Sequence, residues 1–224
     1  MTQKGDLLIA RMVADSDDAP AHALLTEFFS GHPVDELRQL LLSDDEGTAR
    51  TGAWIASELG WRSRPLIGVL AQLLNHPSKY VRFYAIDSIL AAGSAEHGEA
   101  ISAAVQRVED VDDAVRWKAI NFIAQAAHDQ LVASLPFQRR PAIALLTRWL
   151  LDCDQSKDGA EIVARLDSSD SLERLFACIA AVRVSIRDRT ALERAAVSTD
   201  VEVSSFALEQ LDALQERDRT DAQV

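Results

Sequence analysis

The sequence contains few of the residues that build disulfide frameworks, tight turns or metal sites. Its two cysteines, Cys153 and Cys178, form no CxxC motif, and the 224 residues include only 9 Gly, 6 Pro and 6% aromatics. The five histidines are scattered, and none belongs to an HExxH motif. This cysteine usage excludes a disulfide-stapled fold and favours a reducing compartment, and the histidine spacing gives no sign of a zinc site.

The chain is also poor in basic residues. It has 23 Lys and Arg against 35 Asp and Glu, which gives a net charge of −12. Nucleic-acid binding depends on Lys and Arg that neutralise phosphates, so we expect no nucleic-acid partner. An acidic field favours the approach of a basic protein, and it also keeps an exposed helical surface soluble. Both interpretations stay open.

Long apolar runs are missing as well. The first short one, Leu7–Ala10, is followed at once by Arg11 and then by acidic residues. This pattern fits neither a signal peptide nor a membrane span, and no later stretch has eighteen uncharged apolar residues. We therefore expect a cytoplasmic protein with no membrane partner.

What the chain does contain is a repeat built from helix-forming residues. Segments 44–60, 76–93 and 110–127 align without gaps on Arg50, Arg82 and Arg116, which are 32 and 34 positions apart (82 − 50 and 116 − 82). In each copy Ala follows three positions after the Arg, and a large apolar residue comes next. An amphipathic stretch precedes each copy, so the unit is a pair of helices that must stack on its neighbours to bury its apolar faces.

The repeat pattern divides a predicted single domain, 1–224, into five parts. We predict capping helices in 1–32, three regular repeats in 33–128, an irregular helical insert in 129–156, two weaker repeats in 157–215 and a frayed tail in 216–224. Within the insert, the stretch from Ser134 to Cys153 is predicted to form one long helix, with a short helix before it. The expected fold is all-α, with about ten to twelve helices.

Short polar segments are predicted to end the helices. Asp44, Asp110 and Asp170 precede second helices and are predicted to cap them, while Gly60 and Gly93 are predicted to close them. Clusters of acidic residues are interpreted as caps and solvated turns rather than as catalytic or metal sites. These clusters lie at 15–18, 44–46, 109–113 and 152–154.

The pattern Asp–x5–Arg–x2–Ala–hydrophobic, repeated along second helices, resembles the HEAT repeat, of which the armadillo repeat is a near relative. The resemblance covers residues 33–128 well and 157–215 loosely. It implies a right-handed α-solenoid of stacked antiparallel helix pairs. It also implies that the repeated polar residues are structural and tie neighbouring repeats together. These residues are Arg50, Arg82, Arg116, Asp44 and Asp110.

In α-solenoids the second helices line the concave surface, where extended partners bind. A helical wheel of the second repeat places polar and aromatic residues away from the apolar arc, and the alignment carries those positions to the third repeat. The predicted partner-binding residues are Tyr80, Phe83, Tyr84, Asp87, Trp117, Lys118 and Asn121. The alternative is that Phe83 and Trp117 are core residues wedged between repeats. Trp61 and Arg62 are a weaker candidate site in a predicted loop.

No catalytic motif is present. The sequence lacks GxxxxGK[ST], GxGxxG and GxSxG, so we predict no enzyme activity, no cofactor and no metal. The predicted function is a non-catalytic protein-binding module, and one specific version is an acidic bacterial immunity protein that neutralises a basic toxin such as a nuclease. The alternatives are a helical-repeat enzyme or enzyme subunit, similar to DNA-base glycosylases or bilin lyases, and a scaffold or regulatory subunit. The oligomeric state is left open.

Overall fold

The structure is a computed structural model that describes residues 3–15, 21–155 and 159–221. Within these ranges the chain is all-α and contains no strand, as predicted. None of the described helices combines the length and hydropathy that crossing a bilayer requires.

The fourteen described α-helices are α1 Gln3–Asp15, α2 Ala21–Phe29, α3 Arg38–Leu41, α4 Glu46–Glu58, α5 Ile67–Leu73, α6 Lys79–Ala92, α7 Gly98–Val105, α8 Asp113–Gln125, α9 His128–Ser134, α10 Pro141–Gln155, α11 Ala160–Leu166, α12 Ser171–Val184, α13 Thr190–Ala196 and α14 Val201–Asp221.

This number exceeds the predicted ten to twelve. The N-terminal segment forms α1 and α2, and the stretch predicted as an insert forms α9 and α10. The single long helix predicted from Ser134 is not observed. A short 3-10 helix at Leu135–Phe137 follows α9, and α10 begins only at Pro141. Proline lacks the backbone N–H and suits the first position of a helix, so Pro141 starts α10 instead of continuing an earlier helix.

The chain forms two compact units. Unit 1 contains residues 1–122 and 126–138, and unit 2 contains residues 123–125 and 139–224. In unit 1, α3 packs on α4 and α5 packs on α6, while α4 packs on α6. The helices α3, α5, α7 and α9 contact one another in succession. This packing is compatible with a helical repeat.

Small residues bring the helices of unit 1 close together. A side chain at Gly52 in α4 would meet Cβ of Leu40 at 2.8 Å and the backbone nitrogen of Leu41 at 2.9 Å. In α6 the fully buried residues Val81, Ala85 and Ile89 recur at four-residue spacing. An apolar stripe of this period buries one face of the helix and leaves the other for polar side chains.

Unit 2 repeats this arrangement. Here α11 packs on α12 and α13 packs on α14, while α12 contacts both α10 and α14. The centre of the unit is α12, in which the seven residues from Leu175 to Ala181 are all buried. A helix buried around most of its circumference is a core element, and the neighbouring helices pack around it.

The helix ends correct two of the predicted caps. Asp170 does cap α12, since its carboxylate accepts the backbone N–H of Leu172 at 2.8 Å. In α4, however, the cap is Asp45, which accepts from Thr48 N at 2.8 Å, and Asp44 is exposed. In α8 the cap is Asp112, which accepts from Ala114 N at 3.0 Å. Both helices begin later than the alignment implied, so Asp44 and Asp110 lie outside the capping position.

The two predicted glycine stops are found at helix ends, by different means. Gly60 follows α4 with a φ of 56°, the left-handed conformation that favours glycine. Gly93 follows α6 with ordinary dihedral angles, but a Cβ there would lie 2.6 Å from the carbonyl oxygen of Ile89. One stop therefore depends on backbone conformation and the other on lack of space.

The acidic cluster at 152–154 and the C-terminal tail differ from their predicted structures. Asp152 and Asp154 lie within α10 rather than in a turn, and the carboxylate of Asp154 forms a two-point ion pair with Arg183 at 2.6 and 2.8 Å. The tail predicted to fray from residue 216 is helical as far as Asp221. Residues 16–18 of the first acidic cluster lie outside the described residues.

Candidate partner-binding surface

Three helices of unit 1 present the predicted site. Lys79, at the start of α6, lies 3.3 Å from Asp112 at the start of α8. Farther along, Asp87 of α6 lies 2.9 Å from Lys118 of α8. The order of these ion pairs shows that α6 and α8 run side by side in the same direction. Arg50 of α4 lies over the ring of Tyr80 of α6, with its guanidinium carbon 6.0 Å from the ring centroid, so α4 joins the same face.

The structure brings most of the predicted binding residues together on this face. Tyr80 is 49% exposed, and Phe83, Tyr84 and Trp117 are partly exposed. The rings of Phe83 and Tyr84 meet edge to face, with centroids 5.6 Å apart. We call these four side chains the aromatic face. Phe83 and Trp117 were predicted either to bind a partner or to be core residues wedged between repeats. Each ring packs against neighbours and also keeps an accessible part, so the positions are compatible with both roles.

Lys118 occupies the centre of the aromatic face. Its ammonium lies 4.4 Å from the centroid of Phe83 and 5.7 Å from that of Trp117, and its side chain is only 12% exposed. The carboxylate of Asp87 completes the set of contacts at 2.9 Å. Cation–π contacts of this kind contribute about 0.5–2 kcal/mol each. Lys118 therefore fastens α6 to α8 and holds both rings in place, rather than projecting toward a partner.

Asn121 is the exception among the predicted residues. It is only 8% exposed, so its side chain is buried. The alignment equated Asn121 with Asp87, which does reach the surface. Burying a carboxylate costs more than burying an uncharged amide that has hydrogen-bonding partners, so Asn121 can be buried where the equivalent Asp87 stays accessible.

An acidic edge borders the aromatic face. Exposed carboxylates lie at the N-terminal ends of α4 and α8, and Tyr80, in the first turn of α6, lies between these two helix ends. The acidic edge consists of Asp44, Asp45, Glu46, Glu109 and Asp113. Asp113 is the most accessible of the paired acids, with 91% of its side chain exposed. The face thus combines apolar rings with negative charge along one border.

The predicted row of arginines is not uniform. Arg82 bonds the carbonyl oxygens of His76 and Pro77 and the carboxylate of Asp110, which belongs to the next repeat. Arg116 instead bonds the Asp110 carbonyl oxygen and the Asp113 carboxylate of its own turn. Arg50 stacks on Tyr80. The residue equivalent to Asp110 in the second repeat is His76, so the carboxylate that Arg82 contacts has no counterpart at that position for Arg50.

Unit 2 contains a second example of the Arg82 arrangement. Arg174 bonds the carbonyl oxygen of Ser168, six positions earlier, at 2.8 Å, and the carboxylate of Asp200 at 2.6 and 2.9 Å. Asp200 also accepts the backbone N–H groups at the start of α14. The same arginine geometry therefore joins consecutive helix pairs in both units.

The two thiols are in surroundings that disfavour ionisation. Burial raises the pKa of the Cys153 thiol to about 11 and that of the Cys178 thiol to about 12. A thiol must ionise to act as a nucleophile, so neither is activated near neutral pH. The described residues contain no group of three His, Cys, Asp or Glu side chains that could hold a metal ion.

A polar cavity of about 530 Å³ lies within unit 2. It is lined by Asp167, Arg174, Arg194 and Asp200 together with Ser and Thr side chains. Both arginines in it are paired with carboxylates, Arg174 with Asp200 and Arg194 with Asp167. Each charged side chain that lines the cavity is therefore paired with an opposite charge of the same unit.

Comparisons with known proteins leave the family open. No family model matches the chain, and no curated protein sequence matches it. Seventeen chains of solved structures match it. One is the crystal structure of an engineered protein solved by the Northeast Structural Genomics Consortium, with 21% identity, a TM-score of 0.46 and coverage of 80% of this chain and 77% of that chain.

Proposed function

We propose that this chain is a HEAT-like helical-repeat protein that binds another protein through the aromatic face and the adjoining acidic edge, without catalysis. The observation that carries the proposal is the position of Tyr80. It is a half-exposed aromatic ring at the junction of the two surfaces. Interface hot spots are enriched in Tyr, Trp and Arg beside polar groups, and rings held by their neighbours lose little entropy on binding.

The HEAT-like assignment is supported by the two arginine contacts between consecutive helix pairs. Arg82 with Asp110 and Arg174 with Asp200 each join a second helix to the turn of the next pair. The HEAT resemblance implies such links between repeats. An ion pair with several hydrogen bonds has a defined geometry, so each contact fixes one helix pair relative to the next.

The charge of the acidic edge points to a partner with a basic surface. Cations of the partner would lie against Glu46 and Asp113, and its apolar side chains would cover Tyr80 and Trp117. Electrostatic attraction of this kind speeds association and selects between partners more than it adds affinity. An acidic inhibitor of a basic toxin, such as an immunity protein that neutralises a nuclease, is the specific version of this proposal.

Affinity capture from an extract of the native source, quantified by mass spectrometry, tests the proposal. The bait carries either Tyr80→Ala or the pair Asp44→Asn and Asp113→Asn, which are exposed and do not cap a helix. We expect a basic protein to be retained by the wild type, released by salt and lost with both variants. If it is a nuclease, adding the wild-type chain should abolish its activity.

The control removes two negative charges from a different surface. Asp212→Asn with Glu216→Gln changes exposed residues of α14 in unit 2 and should leave capture intact. Circular dichroism checks that every bait remains folded. Captured proteins that are acidic, or that bind all the variants equally, would contradict the proposal.

A further inference from the structure

A short 3-10 helix of unit 1, Gly60–Leu66, carries a second distinctive surface. A 3-10 helix has three residues per turn, so every third residue faces the same way. Ser63 and Leu66 are fully buried on its inner side. The residues at 61, 62, 64 and 65 are all exposed. The segment predicted to be a loop is therefore an ordered ridge that displays two arginines and a tryptophan.

Both arginines on this ridge are held by backbone carbonyl groups. Nη1 of Arg62 donates to the carbonyl oxygen of Phe29 at 3.3 Å, and Nε of Arg64 donates to that of Ala92 at 3.2 Å. Among the residues the structure describes, neither has a carboxylate within ion-pairing distance. This is unusual in a chain with a net charge of −12. Each guanidinium carries five N–H groups, so most of its donors are not used by these backbone bonds.

Two exposed aromatic rings lie beside Arg62. The ring of Phe29 has its centroid 5.3 Å from the guanidinium carbon, and that of Trp61 lies at 5.9 Å. Trp61 is 70% exposed and Phe29 is 49% exposed. Stacking and the backbone bond order the Arg62 side chain in advance, which lowers the entropy lost when it binds a ligand.

We infer that this surface, formed by Phe29, Trp61, Arg62 and Arg64, binds an acidic peptide segment of a partner protein that carries an apolar residue among its carboxylates. Arginine forks bind carboxylates through paired hydrogen bonds, and Trp61 offers an apolar platform next to them. A nucleic acid is the less favoured ligand, because its affinity depends on neutralising many phosphates and only two cations are available on this surface.

This surface is separate from the proposed basic-partner site. The acidic edge lies at the N-terminal end of α4, whereas the Gly60–Leu66 helix follows its C-terminal end. Thirteen residues of α-helix span about 20 Å. The two surfaces also have opposite charge. The inference therefore goes beyond the proposed function, and either can fail without the other.

The test measures fluorescence anisotropy of a fluorescein-labelled peptide, Asp-Glu-Asp-Leu-Phe-Glu-Asp-Glu, with the full chain at low ionic strength. We expect saturable binding that weakens with salt. Arg62→Gln with Arg64→Gln should weaken it about tenfold or more, since both charge-assisted contacts are lost. Trp61→Ser should weaken it by about threefold to tenfold through lost apolar contact.

The matched control, Arg217→Gln with Arg219→Gln, removes two exposed positive charges from α14 and should leave binding unchanged. Circular dichroism checks the fold of each variant. The inference is overturned if the peptide shows no saturable binding below about 1 mM, or if the amide version with Asn and Gln binds equally well. It is also overturned if the control variant loses as much affinity, or if a single-stranded oligothymidine of equal charge binds more tightly.

Discussion

Arg82 and Asp110 form a two-point ion pair across 28 residues of sequence, with Nη2 2.7 Å from Oδ1 and Nε 3.0 Å from Oδ2. Only 9% and 3% of their side chains are exposed. The remaining Arg82 nitrogen donates to the carbonyl oxygens of His76 and Pro77, and Asp110 also accepts the N–H of Asp112. The pair thus connects the turn before α6 with the turn before α8.

Arg82→Ala should lower the free energy of unfolding by about 3 kcal/mol, because it leaves the buried Asp110 carboxylate with only the more distant Arg107, 3.7 Å away, as a cation. Urea denaturation followed by circular dichroism measures the change. Arg194→Ala is the comparison, since its ion pair with Asp167 is about half exposed and should contribute no more than about 1 kcal/mol. Equal losses in the two variants would show that burial does not govern the Arg82 contact.

The same pair predicts a dependence of stability on pH. Burial tends to raise the pKa of Asp110, but hydrogen bonds from Arg82 and Asp112 and the charges of Arg82 and Arg107 outweigh it, and the pKa falls below 3.8. A carboxyl group with a lowered folded-state pKa stabilises the protein fully above its ordinary pKa. The stabilisation is lost as the pH falls through the folded-state pKa.

The stability difference between the wild type and Asp110→Asn should therefore be constant near neutral pH and shrink below about pH 4. Urea denaturation at a series of pH values measures it. A difference that stays constant down to strongly acidic pH would show that the Asp110 charge does not contribute.

Two adjacent aspartates should respond differently to the same substitution. Asp45→Ala removes the cap of α4 and should lower the unfolding free energy by about 1 kcal/mol. Asp44→Ala changes an exposed side chain outside the capping position and should have an effect within about 0.5 kcal/mol. Thermal denaturation of both variants distinguishes them, and a larger loss from Asp44→Ala would reverse the assignment of the cap.

Two glycines provide a matched test of backbone conformation. A Cβ at Gly60 or at Gly68 would meet no atom within 4 Å, so neither substitution introduces a clash. Gly60 has a φ of 56°, and Gly60→Ala should destabilise the protein by about 1–2 kcal/mol. Gly68 is an exposed residue of α5, where alanine is favoured by about 0.5–1 kcal/mol. Denaturation curves should shift in opposite directions.

The two cysteines should be inert in the native protein. Burial raises the pKa of the Cys153 thiol to about 11 and that of Cys178 to about 12, so very little thiolate forms near neutral pH. We expect both to react with Ellman's reagent far more slowly than after denaturation, and Cys178 more slowly than Cys153. Rapid native labelling of either thiol would contradict its burial.

The all-α class could be predicted because helix periodicity and helix ends depend on residues that are close together in the sequence. The spacing of Val81, Ala85 and Ile89 determines the buried stripe of α6, and Gly60 marks the end of α4 through its own backbone freedom. Helix starts were less certain, because Asp44 and Asp45 are both good capping residues, and only the dihedral angles of the folded chain choose between them.

Contacts between distant residues were not predictable in the same way. The sequence placed Phe83 and Trp117 on one surface, since helical periodicity and the repeat spacing fix their positions. It could not show that Lys118 lies between them, because that depends on the rotation of α8 relative to α6. The pairing of Asp154 with Arg183 was missed for the same reason, and the 3-10 geometry at Trp61 has no strong sequence signal.

The contact between Arg174 and Asp200 sets a limit on shortening unit 2. Removing α13 and α14 would take away the carboxylate and leave the arginine at the new end of the chain with an unneutralised charge. A truncated protein would therefore lose more than the apolar area of the missing helices. Each helix pair joined in this way supplies the carboxylate that neutralises the arginine of the pair before it.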